Sequence, residues 1–289
     1  MPPLSKSSFT SSKETPLAIK QARQDLSEFE QSDSRGVWLY LDKRRMIADM
    51  RSRLENSFKV DQKQQPYCGP ASILFELIRK RPQYYVQICQ SLFETGRFRA
   101  QTRFIQASTK LRRASIEDLS MSPVDWMLMA TLRESENLLF PVDPDAPDLF
   151  RNLGGMTKSW EMKGWTREIL GYSTVDYHHA YLVGDLRAIR AANEAIANGG
   201  VAFLLITASG LLRDAAHQTK RQSRIAHPLA VPDHWITLVG DATIQPGMFW
   251  NPNSGHVGFD AYSWASCKRI DINKGIFRRF FWGVVTGQP

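Results

Sequence analysis

Four side chains that thiol chemistry can use occur in order along this chain: an amide at Gln62, a thiol at Cys68, an imidazole at His234 and a second amide at Asn251. A cysteine attacks a carbonyl only as thiolate, so a nucleophilic one needs a helix N-terminus, a histidine or both to favour the charged form. Cys68 meets the first condition in "QPYCGPASILFELI". Pro66, Gly69 and Pro70 mark a turn, and Ile73, Leu74, Leu77 and Ile78 then recur on one helical face. The competing reading of Cys68 is a small buried hydrophobe.

The base must come from elsewhere, because a Cys/His pair meets in space and not in sequence. Of six histidines (His178, His179, His217, His227, His234 and His256), His234 begins the strand-like run "HWITLVG", where rigid backbone can aim its ring. Asn251 in "FWNPNSG" follows and can accept the second imidazole N–H, fixing the tautomer. Asp233 and Asp241 are rivals for that role, and "NPNSG" is also a turn sequence in its own right. The Cys68 N–H and the Gln62 amide are candidate donors to an oxyanion, with Gln64 and Gln65 competing.

The remaining candidates have simpler readings. Cys89, among Tyr85, Val86, Ile88 and Leu92, reads as a packed core thiol. His178 and His179 are adjacent on one strand and so face opposite ways, which does not make a metal site. No CxxC or His/Cys cluster has zinc spacing, so neither metal nor cofactor is expected. Trp235, Phe249, Trp250 and Trp264 either line a substrate groove or belong to the core of a sheet. Three separated cysteines exclude a disulfide framework and suit a reducing compartment, or a protein delivered from one.

These residues need elements to hold them. Met46, Ile47, Met50 and Leu54 predict a helix before the Cys68 turn, and Pro82 predicts that the Cys68 helix ends near Lys80. A further helix runs from Pro82 to a Gly96 terminator. Residues 97 to 170 read as mostly helical, broken by the Pro/Asp/Gly segment "FPVDPDAPDLFRNLGG". After a helix at "GDLRAIRAANEAIANGG" the pattern changes to strands at "VAFLLITA", "HWITLVGD", "GMFWNP", "AYSWASC" and "IFRRFFWGVV". Helices first and strands afterwards signal an α+β architecture. Residues 1–33 read as a loosely ordered lead-in with a helical tendency at "PLAIKQARQDLSEF", and 34–289 as one domain.

The net charge of +8 invites a nucleic-acid reading. However, the basic residues are dispersed, without the aromatic-interleaved block that single-strand binders use, so a dedicated nucleic-acid protein is not expected. No apolar run reaches the ~20 residues of a membrane helix. The N-terminal residues lack the apolar core of a secretory signal, so the expectation is a cytoplasmic protein in the producing cell or one secreted without a signal peptide.

Taken together, Gln62-x5-Cys68-Gly-Pro-Ala-Ser opening a helix, Pro82-x2-Tyr85…Leu92…Gly96 after it, His234-Trp-Ile-Thr-Leu-Val-Gly and Phe249-Trp-Asn251-Pro-x2-Gly255 resemble the papain-like fold of thiol peptidases. The nearest likeness is to the bacteriocin-leader-peptidase-like (double-glycine peptidase) branch. That resemblance implies a helical lobe bearing Cys68 packed on an antiparallel sheet bearing His234, the site between them, and Cys68, His234, Asn251 and Gln62 in the catalytic roles above. It also implies a helical insertion at about 97–180, because Cys68 and His234 are farther apart than in compact members. Asn251 stands where the branch more often has Asp. The likeness extends to bacterial toxins and effectors, whose partners are a protein or peptide substrate, a secretion-machine component or an immunity protein. Deamidation, transglutamination, acyl transfer and a non-catalytic basic interaction module are the alternative functions.

Overall fold

The computed structural model describes residues 15–115, 120–136, 157–180, 185–212 and 231–289. The Pro/Asp/Gly segment at 140–155, His217 and His227 lie outside them. The described chain is α+β: ten helices and two antiparallel sheets, of two and seven strands.

The helical half comes first. Helix α1 (Thr15–Gln31) buries Ala22, Leu26 and Phe29, with Phe29 edge-on to Phe93 at 5.9 Å. The expected loose lead-in is thus an ordered helix over Thr15–Gln31, and residues 1–14 lie outside the described residues. Helix α2 (Lys43–Glu55) is capped by Asp42, whose carboxylate accepts the Arg45 N–H, and buries Met46, Ile47, Met50 and Leu54. Helices α3 (Cys68–Lys80) and α4 (Pro82–Thr95) follow the expected punctuation. Pro82 opens α4, and Gly96 closes it in the left-handed conformation that lacks a steric cost only for glycine.

The 97–180 stretch is not a purely helical appendage. It begins with a hairpin of β1 (Arg97–Arg99) and β2 (Phe104–Gln106), then α5 (Thr109–Arg112), α6 (Pro123–Glu136) and α7 (Ser159–Glu168). It ends in β3 (Thr174–His179), an edge strand of the main sheet. Helix α6 is buried along most of its length, from Val124 to Arg133, so this stretch contributes to the central core.

Helix α8 (Asp185–Ala197) leads into β4 (Val201–Ile206), then α9 (Ala208–Leu211), β5 (His234–Leu238), β6 (Thr243–Ile244), β7 (His256–Ser263), β8 (Ser266–Asn273), α10 (Lys274–Phe280) and β9 (Phe281–Gln288). The large sheet runs β3-β9-β4-β5-β7-β6, with β8 also on β7, and every pairing is antiparallel. Three strand expectations change. "GMFWNP" is a turn with an isolated Met248–Asn251 bridge, and "AYSWASC" is the end of β7, a Trp264–Ala265 turn and the start of β8. The first half of "IFRRFFWGVV" belongs to helix α10, begun by Asn273 accepting the Gly275 N–H, and only its second half is strand β9.

Strands β4 and β5 are buried along their whole length because both faces of the sheet are covered. On one face Val201, Phe203, Leu205, Trp235 and Tyr262 join the core of the helical half. On the other, Leu204, Ile206, Ile236 and Leu238 pack with Ile189 of α8 and Phe277 of α10. The ring of Phe75 on α3 stacks on Tyr262 of β7 at 4.1 Å and 5°, and the Tyr262 hydroxyl donates to the Val60 carbonyl. Burying each such ring contributes about 1.5–3 kcal/mol, which fixes α3 against the sheet.

Candidate active site

Helix α3 brings Cys68 to the start of β5. Cys68 is the first residue of α3, after Tyr67, and no side chain caps this helix end. The backbone N–H groups of Trp235, the residue after His234, and of Gly69 lie on the side of its sulfur and favour the thiolate. Gly69 is required by space, since a Cβ there would lie 2.3 Å from the Thr157 hydroxyl oxygen. Thr157 also closes the seam between the two halves, its carbonyl accepting the Trp235 indole N–H at 2.8 Å.

His234 is buried at the head of β5, opposite Ile206 of β4. Its Nε2 meets the Ser263 hydroxyl at 2.8 Å, and its ring stacks on Trp264 at 4.3 Å and 17°. Ser263 closes β7, and Trp264 with Ala265 forms the left-handed turn into β8, which swings the indole over the imidazole. The residue that holds this imidazole is thus Ser263, which sequence reasoning did not select; its signal lies only in the β5–β7 register.

Asn251 lies apart from this pair. It is exposed at the start of the short turn Pro252–Ser254, where its N–H donates to the Met248 carbonyl. None of the described hydrogen bonds joins Asn251 to His234, whose Nε2 is taken by Ser263. The rival acids are not there either. Asp233 accepts the Ala208 N–H at 2.7 Å, and Asp241 is exposed beyond the end of β5. Gln62 is buried six residues before Cys68, and its amide donates to the Gln65 carbonyl, which also accepts the Tyr67 N–H. It staples the loop leading into the Cys68 turn. Gln64 is exposed.

A second missed residue is Arg133 of α6. It is buried, its Nη1 donates to the Thr157 hydroxyl at 3.1 Å and stands 3.6 Å from Glu161, and its charge bears on Cys68 and Tyr67. One arginine within the apolar run "DWMLMATLR" was the available clue.

Burial dominates the electrostatics. It pushes the Cys68 thiol up, opposed by the Trp235 N–H, Arg133 and the Gly69 N–H. Burial alone pushes His234 down to about 3. Thiol and imidazole are both neutral at pH 7 in this arrangement, and the described hydrogen bond of the imidazole goes to Ser263. With Nε2 engaged, Nδ1 has no hydrogen bond among those described, and none of them joins the imidazole to the Cys68 sulfur.

The other thiols differ. Cys89 is buried in α4, and burial pushes its pKa well up; Cys267 is exposed on β8. On β3, His178 Nε2 meets the Thr286 hydroxyl at 3.1 Å, and His179 packs edge-on to Tyr177. A cavity of about 370 Å³ lies beside the Asp61–Lys63 loop, lined in part by Arg45, Asp49, Arg53 and Lys59, and neither Cys68 nor His234 lines it. Of the four aromatic residues, Trp235 is core, Trp264 covers His234, and Phe249 and Trp250 project into solvent. Among the described residues no helix is long and apolar enough to cross a membrane. Compared with known proteins, the chain matches no family model and no curated protein.

Proposed function

We propose that this protein is a papain-like cysteine hydrolase that cleaves an amide or peptide bond through a thioacyl intermediate. The observation that carries the reading is the placement of buried Cys68 at an uncapped helix start, where the backbone N–H of Trp235, the residue after His234, favours its thiolate, while His234 Nε2 is held by Ser263.

In this reading His234 Nδ1 takes the Cys68 proton as the sulfur attacks the carbonyl carbon, and the carbonyl π pair moves to oxygen. The Cys68 N–H, which has no side-chain cap competing for the helix end, donates to that oxyanion, and the buried Arg133 charge favours the anionic forms. The imidazolium then gives its proton to the leaving nitrogen as the C–N bond breaks. Water attacks the thioester, His234 removes its proton, and the thiol leaves with that proton restored. Ser263 orients the imidazole in place of Asn251, and Gln62 shapes the loop and does not serve as the open donor.

The neutral resting pair supports a proton transfer that occurs with attack and not beforehand. An amine as the second nucleophile makes the same site a transglutaminase or acyltransferase, and a glutamine side chain as substrate makes it a deamidase. The delivered-effector reading, with a protein or peptide substrate, rests on the resemblance of the motifs alone.

The test is intact-mass labelling with a thiol-directed electrophile. Labelling of Cys68 ahead of exposed Cys267, lost in His234→Ala, supports the reading. Labelling that follows exposure alone, with Cys267 first and His234→Ala unchanged, sinks it.

A further inference from the structure

The turn between β6 and β7 presents Met248, Phe249 and Trp250 in sequence at 57%, 97% and 80% exposure. Other exposed large apolar side chains among the described residues, such as Leu17, Phe104 and Trp160, do not come three in a row. This turn is built. Met248 and Asn251 form a bridge, the Asn251 N–H donates to the Met248 carbonyl at 2.9 Å, and the Met248 N–H donates to the Ser254 hydroxyl at 2.9 Å. The Ser254 hydroxyl in turn donates to the Asn251 carbonyl at 2.7 Å. Phe249 and Trp250 occupy the apex of a pinned turn, facing water at a free-energy cost that persists unless something covers them.

Its base is basic. Helix α10 packs under the turn, with Arg278 donating to the Asn253 side chain at 3.2 Å and the Lys274 N–H donating to the Gly255 carbonyl at 2.7 Å. Lys274 and Arg278 therefore lie beside the turn, and exposed Arg279 follows on the same helix, its guanidinium over the Phe280 ring. Neither 242–259 nor 272–289 contains an Asp or Glu; of the three acids that border them, Asp271 is near His256 at 3.4 Å, Asp260 is paired with Arg269, and Asp241 is exposed before β6.

Aromatic residues at the tip with lysine and arginine beside them match the layers of a membrane surface, where rings settle at the headgroup level and cations meet anionic lipid. A standard protein interface buries about 800 Å² per partner, far more than two rings and a methionine offer. We propose that this end of the molecule docks on an anionic lipid bilayer, with Phe249 and Trp250 entering the interface and Lys274, Arg278 and Arg279 contacting headgroups. Such docking needs no membrane-spanning segment.

The experiment is vesicle sedimentation of the full chain with phosphatidylcholine alone and with a phosphatidylcholine/phosphatidylserine mixture. Wild type should partition onto the mixed vesicles, and Phe249→Ala/Trp250→Ala should weaken this by about tenfold or more. Both side chains are exposed, so thermal unfolding should show the variant folded. Lys274→Glu/Arg279→Glu should also weaken binding to the mixture. Three results overturn the proposal. No binding to either vesicle is the first. Equal binding by wild type and the aromatic variant is the second, because the net charge of +8 then explains the attachment. The third is concentration-dependent self-association of wild type that the aromatic variant abolishes, which assigns the tip to a second copy.

Discussion

Arg53–Asp125 and Cys68–His234 are two buried polar sites in this molecule, and they are built on opposite terms. Asp125 of α6 takes Arg53 Nε at 3.2 Å, Arg53 Nη2 at 2.7 Å and the Asp61 N–H at 3.0 Å. Burial pushes its carboxyl up to about 6 against the pull of Arg53, so it remains ionised at pH 7. That network ties α2, α6 and the loop before Cys68 together, with each carboxylate oxygen matched to a donor. At the other site, burial keeps the Cys68 thiol and the His234 imidazole both neutral, and the imidazole has one nitrogen committed to Ser263. A matched charge network holds shape; a neutral buried thiol and imidazole are what the proposed hydrolase would use.

The largest break in that comparison should come from Asp125→Ala. It leaves the buried Arg53 charge with only Asp49, 3.8 Å away, and should cost about 3 kcal/mol in chemical denaturation. Cys68→Ala in the same assay should cost about 1 kcal/mol. Equal losses would erase the distinction.

Acid should separate the sites next. The folded pKa of His234, near 3, lies below its unfolded value of about 6.5, so the unfolded state binds the proton first. Its contribution to stability is whole above pH 6.5 and is lost as pH falls toward 3, about 3 kcal/mol between pH 7 and pH 4. Asp125 acts with the opposite sign, because a carboxyl whose folded pKa is raised gains stability as pH falls below 6. The comparison that isolates the imidazole is therefore wild type against His234→Asn, measured by urea unfolding at both pH values. An identical pH slope in the two proteins would refute the buried neutral imidazole.

Smaller effects sharpen the assignment of the orienting residue. Ser263→Ala removes one hydrogen bond, should cost about 1 kcal/mol, and should slow electrophile labelling of Cys68. Asn251→Ala, at an exposed turn, should change stability by no more than about 0.5 kcal/mol and leave labelling as in wild type. The reverse order of effects would return Asn251 to the site.

Local pattern made the Cys68 half of the site legible. Apolar spacing and Pro82 bounded α3, and Gly96 ended α4. "HWITL" was readable as a buried strand with His234 at its head. What lay out of reach was set by pairing across distance. Ser263 meets His234 only because Thr237 pairs with Tyr262 and Leu238 with Ala261. Asn251 looked right by order along the chain, but it is exposed in the β6–β7 connection and none of the described hydrogen bonds joins it to His234. The run "IFRR" mimics strand alternation, and only the Asn273 cap distinguishes it as helix.

The position of β9 has a consequence for how the protein is made. This strand lies between β3 and β4 although it follows both by many residues, pairing His179 with Gly283 and Leu204 with Val284. During translation, the other strands of the large sheet emerge while β3 and β4 still have facing edges with no strand between them. Those edges are open to mispairing until residues 281–288 leave the ribosome and close the gap.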